Sequence, residues 1–474
     1  MLFNSVEFLI FLPIVFLLYW CVFNKSIKAQ NVLILLASYV FYGWWSYKFL
    51  FLLAGSTLID YYYGFKVNSS NRKTAKLFLW LSVINNLGIL AIFKYYDFFA
   101  IQLQTVLNTA GVNCNFQLLQ LVLPIGISFY TFHGMSYVFD IYRNKQTPVK
   151  SFIDYSVFVS FFPLLVAGPI ERANHLLPQI LKNRVFSYET AVFGCRLILW
   201  GLVKKVVIAD NLSILVDDAY ANYHNMGFST LLLAVVAFSF QIYCDFSGYS
   251  DIALGTAKLF GFELLSNFRF PYFSRDIAEF WRRWHISLSS WFKDYLYIPL
   301  GGSRDGIIKS IRNTFIIFIV SGFWHGAKWN FIFWGGLHAV AFLPLLLAKR
   351  NRNHVDAVVA QNRLLPGLKE LFQMLATFGF VTIAWIFFRA DNLHIAVDLI
   401  KTMSIQLFVN TPEFLIAPEY IKYCILMIVL VLVDWQLRRN EREIMKMHYL
   451  VYLLFAIAVW LNFGKNNSSI YFQF

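Results

Sequence analysis

Charge is scarce in this chain. Of 474 residues only 14% are Asp, Glu, Lys or Arg, against about 25% in soluble domains. Hydrophobic residues reach 59%, aromatics 19%, and mean hydropathy is +0.58. A soluble fold cannot hide that much apolar surface, so lipid must be the solvent for most of the chain. The five cysteines, Cys21, Cys114, Cys195, Cys244 and Cys424, lie far apart without a C-x-x-C pair. That scatter excludes a disulfide framework and a zinc site, and no metal is expected. The sequence has no G-x-x-x-x-G-K-[ST], no H-E-x-x-H and no G-x-S-x-G, which removes support for nucleotide hydrolysis, zinc proteolysis and an α/β-hydrolase triad. It has no linker rich in Pro, Ser or charge and no evident internal repeat, so a single membrane domain over residues 1–474 is expected. Met1–Glu7 lacks a basic stretch and no small-residue cleavage site follows, so the first apolar run is expected to be kept as a helix.

What the chain has is a succession of apolar windows long enough to approach the roughly 30 Å of a hydrocarbon core. They cover Val6–Phe23, Val32–Tyr47, Phe49–Phe65, Lys76–Tyr95, Leu118–Phe139, Phe152–Ile170, Ala191–Ile208 and Phe228–Tyr243. Phe315–Phe323, Phe331–Leu347, Leu371–Phe388, Ile421–Trp435 and Val451–Phe463 complete the set. The pattern predicts an all-α polytopic protein with roughly 11–13 transmembrane helices. The net charge of +14 would raise nucleic acid as a partner, but the basic residues sit in the short gaps between apolar runs. There Lys and Arg set topology. Lys25 and Lys28, then Lys66–Lys76, Arg143–Lys150, Lys349–Arg363 and Arg438–Lys446 fall on one side, the cytoplasmic one, with both termini outside. Glu171–Arg184 breaks the alternation, which predicts a re-entrant or broken segment near Pro163–Pro178.

Polar residues in hydrocarbon are costly and are therefore candidates for function. Arg275–Gly302 places Ile277, Phe280, Trp281, Trp284, Leu288, Trp291 and Tyr295 at helical spacing, with Arg282, Arg283, Ser287, Ser290, Lys293 and Asp294 opposite. This predicts an interfacial helix with its tryptophans at headgroup depth and His285 at the boundary of the faces. On residue pattern alone a plain basic interfacial helix, with His285 as a headgroup contact, is the favoured account; a lid or floor for a buried site, with Arg282 and Arg283 facing phosphates, is the sharper one. Ser321–His338 sets His325, flanked by Trp324 and Gly326, and His338 in a tryptophan-rich run. Gly322, Gly326, Gly335 and Gly336 allow close approach or a helix break. An imidazole held uncharged there is suited to general-base work; for His338 a structural hydrogen bond to a neighbouring helix is an equal account, and His325 is the better candidate. In QIYCDFSGYSD, Asp245 and Asp251 fit helix capping, the commoner explanation, the binding of a cation or the orientation of a histidine. Lys204 and Lys205 in GLVKKVVIADNL fit snorkelling or neutralisation of a donor's phosphates. Arg282 and Arg283 are further phosphate candidates, and Trp324 and Asp294 further substrate contacts.

These strings occur in an order that resembles the membrane-bound O-acyltransferase family, in its bacterial alginate O-acetyltransferase-like branch. The likeness begins at MLFNSVEFLIFLPIVFLLYW and runs through LPIGISFYTFHGMSYVFDIYR, FFPLLVAGPIERANHLLPQI and GLVKKVVIADNL. It continues through QIYCDFSGYSDIALG and FWRRWHISLSSWFKDYLYIPLGGSR to SGFWHGAKWNFIFWGGLH. The resemblance implies a ring of tilted helices with interfacial and re-entrant pieces around a central funnel. It also implies a catalytic histidine at His325, in the WHG string, and a second one at His285, in the RRWH string. His325 is then expected to act as base while His285 orients a substrate or steadies the oxyanion.

The implied donor is acetyl-CoA or an acyl-carrier thioester, with no permanently bound cofactor. The implied acceptor is an extracytoplasmic polysaccharide, reached directly or through a serine of an SGNH-hydrolase-like partner. The implied location is the bacterial cytoplasmic membrane, spanned many times and surrounded by membrane lipids, and no nucleic acid is involved. Three rivals accompany this reading. They are D-alanyl transfer to teichoic acid from a carrier protein, a transporter or channel, and an inactive scaffold that recruits extracytoplasmic enzymes.

Overall fold

A computed structural model describes residues 1–166, 168–355, 358–408, 418–440 and 447–464. Among these residues every regular element is helical. This is the expected outcome for backbone placed in lipid, where each N–H and C=O must find a partner within its own segment. Among the described residues five helices are long and apolar enough to cross a membrane. They are Arg72–Thr109, Phe228–Leu259, Ile307–His325, Trp329–Leu347 and Leu368–Arg389. Val6–Val22, Ile27–Gly43 and Tyr449–Asn462 are apolar but shorter. The chain is a multi-pass membrane protein, and its contacts group it into two compact units, residues 1–195 with 253–265, and residues 196–252 with 266–474.

In the first unit the helix starts follow local chemistry. Ser5, Ser26, Asn71 and Ser151 each accept a hydrogen bond from a backbone N–H of the first turn they precede, the common N-cap arrangement. The buried carboxylate of Asp60, on Tyr47–Val67, accepts from Ser82 Oγ at 2.7 Å and Asn86 Nδ2 at 2.9 Å. Gly134 lies against the same carboxylate with no room for a side chain, so three helices meet at one polar point.

Two apolar windows are not the continuous helices expected from hydropathy. Residues 112–124 have no regular structure, and helix begins only at Ile127. Gly126 stands before it at φ +74° with Leu165 O against its Cα, a conformation and a gap that admit glycine alone. The extended stretch is tied down by Asp97, whose carboxylate accepts from Leu119 N at 2.8 Å and Gln120 N at 2.9 Å. Helix Phe152–Ser160 likewise stops short, and Ala173–Leu181 restarts with Pro178 inside it. The chain is therefore broken where the charge pattern predicted.

In the second unit three differences matter. The window Phe228–Tyr243 continues as helix to Leu259, which puts Asp245 and Asp251 in a helix interior, not at a cap. Leu393–Phe408, within a stretch expected to be loop, is helical. Arg442 and Lys446 of the last basic gap lie outside the described residues. The helix Phe228–Leu259 crosses the Tyr188–Leu202 segment at glycines. A Cβ on Gly201 would sit 2.6 Å from Gly248 O, and one on Gly248 would sit 2.7 Å from Gly201 O and 3.1 Å from Lys205 N. Small residues permitting backbone contact are a common glue between helices in lipid.

Gly248→Val is therefore expected to cost more than the roughly 1–3 kcal/mol of an ordinary overpacked core. The monodisperse fraction in detergent and the thermal unfolding midpoint should both fall, and a variant matching the parent in both would contradict this packing.

Candidate active site

The stretch expected to be one interfacial helix is two. Ile277–Arg283 ends at Trp284, whose backbone is extended, and Ile286–Phe292 starts after His285 at φ +43° and ψ +54°. A non-glycine residue in this left-handed region carries backbone strain, and such strain gathers at functional sites. The break also removes the predicted face. His285 is 1% exposed, Trp284 2% and Trp291 6%, so these rings are interior groups rather than headgroup anchors.

Asn267 holds the break in place. Its Oδ1 accepts from Ser287 N at 3.3 Å and Ser287 Oγ at 2.8 Å, and lies 3.1 Å from His285 Nδ1. The backbone N–H of Ser287 can only donate, which fixes that atom of the carboxamide as oxygen. His285 must then carry its proton on Nδ1, and Nε2 presents a bare lone pair. Nε2 is buried with no hydrogen-bond partner. An unprotonated nitrogen cannot donate to an oxyanion, so the expected oxyanion role of His285 does not fit this tautomer. Acceptance of a hydrogen bond does.

His325 is the last residue of Ile307–His325, followed by extended Gly326, whose N–H returns to Gly322 O. Its position depends on a tight pair of helices. Gly322 lies under Phe331 O and Gly335 under Phe318 O, with no space for a Cβ at either. Gly326 is pressed against the Phe331 ring, whereas Gly336 is open. Asn330 Nδ2 donates to Phe387 O at 3.1 Å and Ala390 O at 2.7 Å, which adds the end of Leu368–Arg389. The His325 ring, only partly buried, sits in the resulting corner. It lies 5.5 Å from Trp334, 5.2 Å from Phe388 and 4.9 Å from Trp324, all nearly edge-on.

The two imidazoles predicted from the RRWH and WHG strings come together, 6.5 Å apart between centroids at 61°. Trp324 is shared between them, 6.0 Å from His285. Phe246 closes on His285 at 4.6 Å, and Trp385 stacks on Trp334 at 5.5 Å while packing on Trp284 at 5.0 Å. Two bases at this spacing in aromatic walls can both reach one atom placed between them.

The remaining candidates are elsewhere. Lys204 Nζ pairs with Asp251 at 2.8 Å. Lys205 Nζ pairs with Asp245 and Asp210, each at 2.7 Å. All four candidates are thus brought together, but as ion pairs across the Gly201–Gly248 crossing. The buried ammoniums neither snorkel nor stand open to a donor's phosphates. Arg283 binds Glu279 at 2.9 Å, and Arg282 donates to Asn351 O at 2.8 Å and His354 O at 3.2 Å. Asp294 is half-buried in the wide turn Lys293–Tyr297 that follows the second short helix. His338 Nδ1 accepts from Trp281 Nε1 at 3.2 Å, a hydrogen bond of the structural kind. Among the described residues no group of three or more His, Cys, Asp or Glu is arranged to hold a metal.

Sequence reasoning missed Asn267, Asp210, Trp334, Trp385 and Phe388. Asn267 left a faint trace, a lone amide between two aromatic-rich runs. Trp334 lay in the tryptophan-rich run around His325 but was not singled out, and Trp385 and Phe388 left no trace, because they look like any other apolar helix face.

The membrane-bound O-acyltransferase family matches residues 34–384. The chain belongs to that family. The acyltransferase is 40% identical to the "Probable alginate O-acetylase AlgI" of Pseudomonas putida over 408 residues, 85% of this chain and 80% of that one. It is 36% identical to a peptidoglycan O-acetyltransferase of Helicobacter pylori over 433 residues, 85% and 80% of the two chains. A teichoic acid D-alanyltransferase of Streptococcus thermophilus is 30% identical over 284 residues, 56% of this chain and 68% of that one. The chain is therefore an enzyme, and both histidines fall within the matched region.

Asn267→Ala should release the His285 tautomer while leaving the helices intact. Removing a hydrogen bond to a buried group costs about 1–3 kcal/mol, so acyl transfer is expected to fall about 10- to 100-fold with the protein still folded. Full activity in this variant would dismiss the Asn267–His285 link.

Proposed function

We propose that this acyltransferase moves an acetyl group from a cytoplasmic thioester, acetyl-CoA, to a hydroxyl of an extracytoplasmic polysaccharide. Transfer is either direct or through the serine of an SGNH-hydrolase-like partner, and the enzyme resides in the bacterial cytoplasmic membrane. The observation that carries this reading is the meeting of His285 and His325 at 6.5 Å in an aromatic chamber, in a chain similar to alginate and peptidoglycan O-acetyltransferases over 85% of its length. The shorter and weaker likeness to a D-alanyltransferase favours acetyl over D-alanyl transfer.

The chemistry follows from the two rings. A neighbouring hydroxyl or N–H of the acceptor donates to the bare Nε2 of His285, which orients the acceptor so that the oxygen of its reacting hydroxyl donates to His325. As that oxygen attacks the thioester carbonyl carbon, His325 takes the hydroxyl proton. The tetrahedral intermediate then expels the thiolate, breaking the C–S bond, and His325 returns the proton to sulfur. An ester and a free thiol result. The aromatic walls exclude water, which would otherwise hydrolyse the thioester.

In proteoliposomes loaded with labelled acetyl-CoA and supplied with polymer, His325→Ala is expected to abolish acetylation at unchanged abundance. His285→Ala should lower it about 10- to 100-fold, the range for losing one buried hydrogen bond to the acceptor. Acetylated product from His325→Ala at the parental rate would end the proposed mechanism.

A further inference from the structure

One buried carboxylate of the second unit belongs neither to the histidine pair nor to the ion pairs at the glycine crossing. Asp434, on Ile421–Leu437, is 4% exposed. Its Oδ2 accepts from the Tyr243 hydroxyl at 2.9 Å, while its Oδ1 is buried with no hydrogen-bond partner. Lys204 Nζ comes within 5.5 Å of the Tyr243 ring but is engaged by Asp251 at 2.8 Å. Lys205 is engaged in turn by Asp245 and Asp210. Among the described residues, then, Asp434 is the carboxylate without a cation. A bare anionic oxygen in an apolar interior is costly, and a group kept there points to a ligand that answers it.

Asp434 lines a cavity of about 190 Å³ and is the one charged residue in its wall. Phe240, Tyr243, Tyr272 and Phe378 line it as well. These four rings touch one another, with centroids 5.1 to 5.7 Å apart. The Tyr272 hydroxyl donates to Ser239 O and that of Tyr243 to Asp434. The cavity therefore presents aromatic faces and a single unanswered oxygen. Aromatic faces grouped around a carboxylate favour a cation. An acceptor lacking a donor favours one that bears N–H. A primary ammonium meets both demands.

The position of the cavity says where that ammonium comes from. Leu371, Met374 and Leu375 enter it from the first turns of Leu368–Arg389, which follows the Lys349–Arg363 gap. Leu430, Val431 and Asp434 enter it from the last turns of Ile421–Leu437, just before the Arg438–Lys446 gap. The charge bias puts both gaps on the cytoplasmic side. Asp434 thus lies about one helical turn below the headgroups of the inner leaflet. Leu371 is 40% exposed and Leu375 60%, so the mouth opens sideways towards lipid. Exposed Lys369, in the first turn of the same helix, supplies a positive charge at headgroup level for a phosphodiester. On the inner side, Tyr243 and Tyr272 pack on Trp284 at 6.3 and 6.0 Å. Trp284 precedes His285, so the cavity and the histidine chamber share a wall.

We propose that this cavity binds an ethanolamine phospholipid of the inner leaflet, its ammonium on Asp434 Oδ1 and against the four rings. The acyl chains leave between the two helices, past Leu371, Leu375 and Val431. The lipid is a bound companion of the enzyme and not a reactant. A choline head has no N–H for Oδ1, and a glycerol head has no positive charge for the carboxylate. The assignment holds whichever acyl group the enzyme moves.

The test uses the full chain, delipidated in detergent and offered equimolar phosphatidylethanolamine, phosphatidylcholine and phosphatidylglycerol with identical acyl chains. Native mass spectrometry counts the lipids retained. Phosphatidylethanolamine is expected to be favoured over the other two by about tenfold, the worth of one charge-assisted hydrogen bond. Asp434→Asn keeps an oxygen to accept from Tyr243 but removes the charge, and should abolish that preference. Leu375→Trp plugs the mouth from the lipid side and should abolish it as well, at an unchanged thermal unfolding midpoint. This second variant decides the matter if Asp434→Asn folds poorly. Equal retention of the three lipids by the parent chain, or an undiminished preference in Leu375→Trp or in folded Asp434→Asn, would overturn the assignment. So would displacement of the lipid by soluble phosphoethanolamine at equal concentration, which would mark a site for a free amine.

Discussion

The hydrogen bonds around Asn267 Oδ1 are the constraint on which the site depends. A histidine at φ +43° is a strained residue, and nothing in its own short helices compels that geometry. The carboxamide oxygen compensates by gathering three donors, the imidazole Nδ1–H and the N–H and hydroxyl of Ser287. In one place it stabilises the kink between two seven-residue helices, sets the tautomer of His285 and leaves Nε2 bare. Two backbone hydrogen bonds, from Ile286 N to Asn267 O and from Arg269 N to Arg283 O, hold the break itself. Without the carboxamide oxygen the His285 ring would lose the partner that fixes its Nδ1 proton and keeps Nε2 bare opposite His325.

The opposite ring is placed by different physics. His325 is located by backbone contact between Ile307–His325 and Trp329–Leu347, made possible by Gly322 and Gly335, and by the rings of Trp334 and Phe388. One imidazole is thus set by hydrogen bonds and the other by packing. The first is fully buried and the second partly exposed. A pair in which one ring is held deep and the other lies nearer the surface suits a reaction whose substrates arrive past the outer ring and are oriented by the inner one.

Much of this was legible in the sequence. Composition alone gave the membrane class, and runs of apolar residues located most helices to within a few positions. The RRWH and WHG strings pointed to the two histidines that meet. The failures have common causes. Hydropathy counts residues without regard to backbone geometry, so it merged residues 118–124 with the helix after Gly126 and carried Phe152–Ser160 across Pro163. Helical periodicity read Arg275–Gly302 as one surface helix because a single left-handed residue leaves the spacing of the others untouched. Lys204, Lys205, Asp245 and Asp251 were visible as costly polar groups, but their mutual pairing depends on a glycine crossing between segments some fifty positions apart. No local pattern encodes that.

The ion pairs at that crossing also bear on biosynthesis. Asp245 and Asp251 lie inside a long apolar helix, and a lone carboxylate there would resist entry into lipid. Their cationic counterparts at positions 204 and 205 are synthesised first, about forty residues earlier along the nascent chain. The two segments therefore gain most by leaving the translocon as a hairpin already paired, its charges neutralised before either meets hydrocarbon. Order of synthesis, and not only final contact, is built into this part of the molecule.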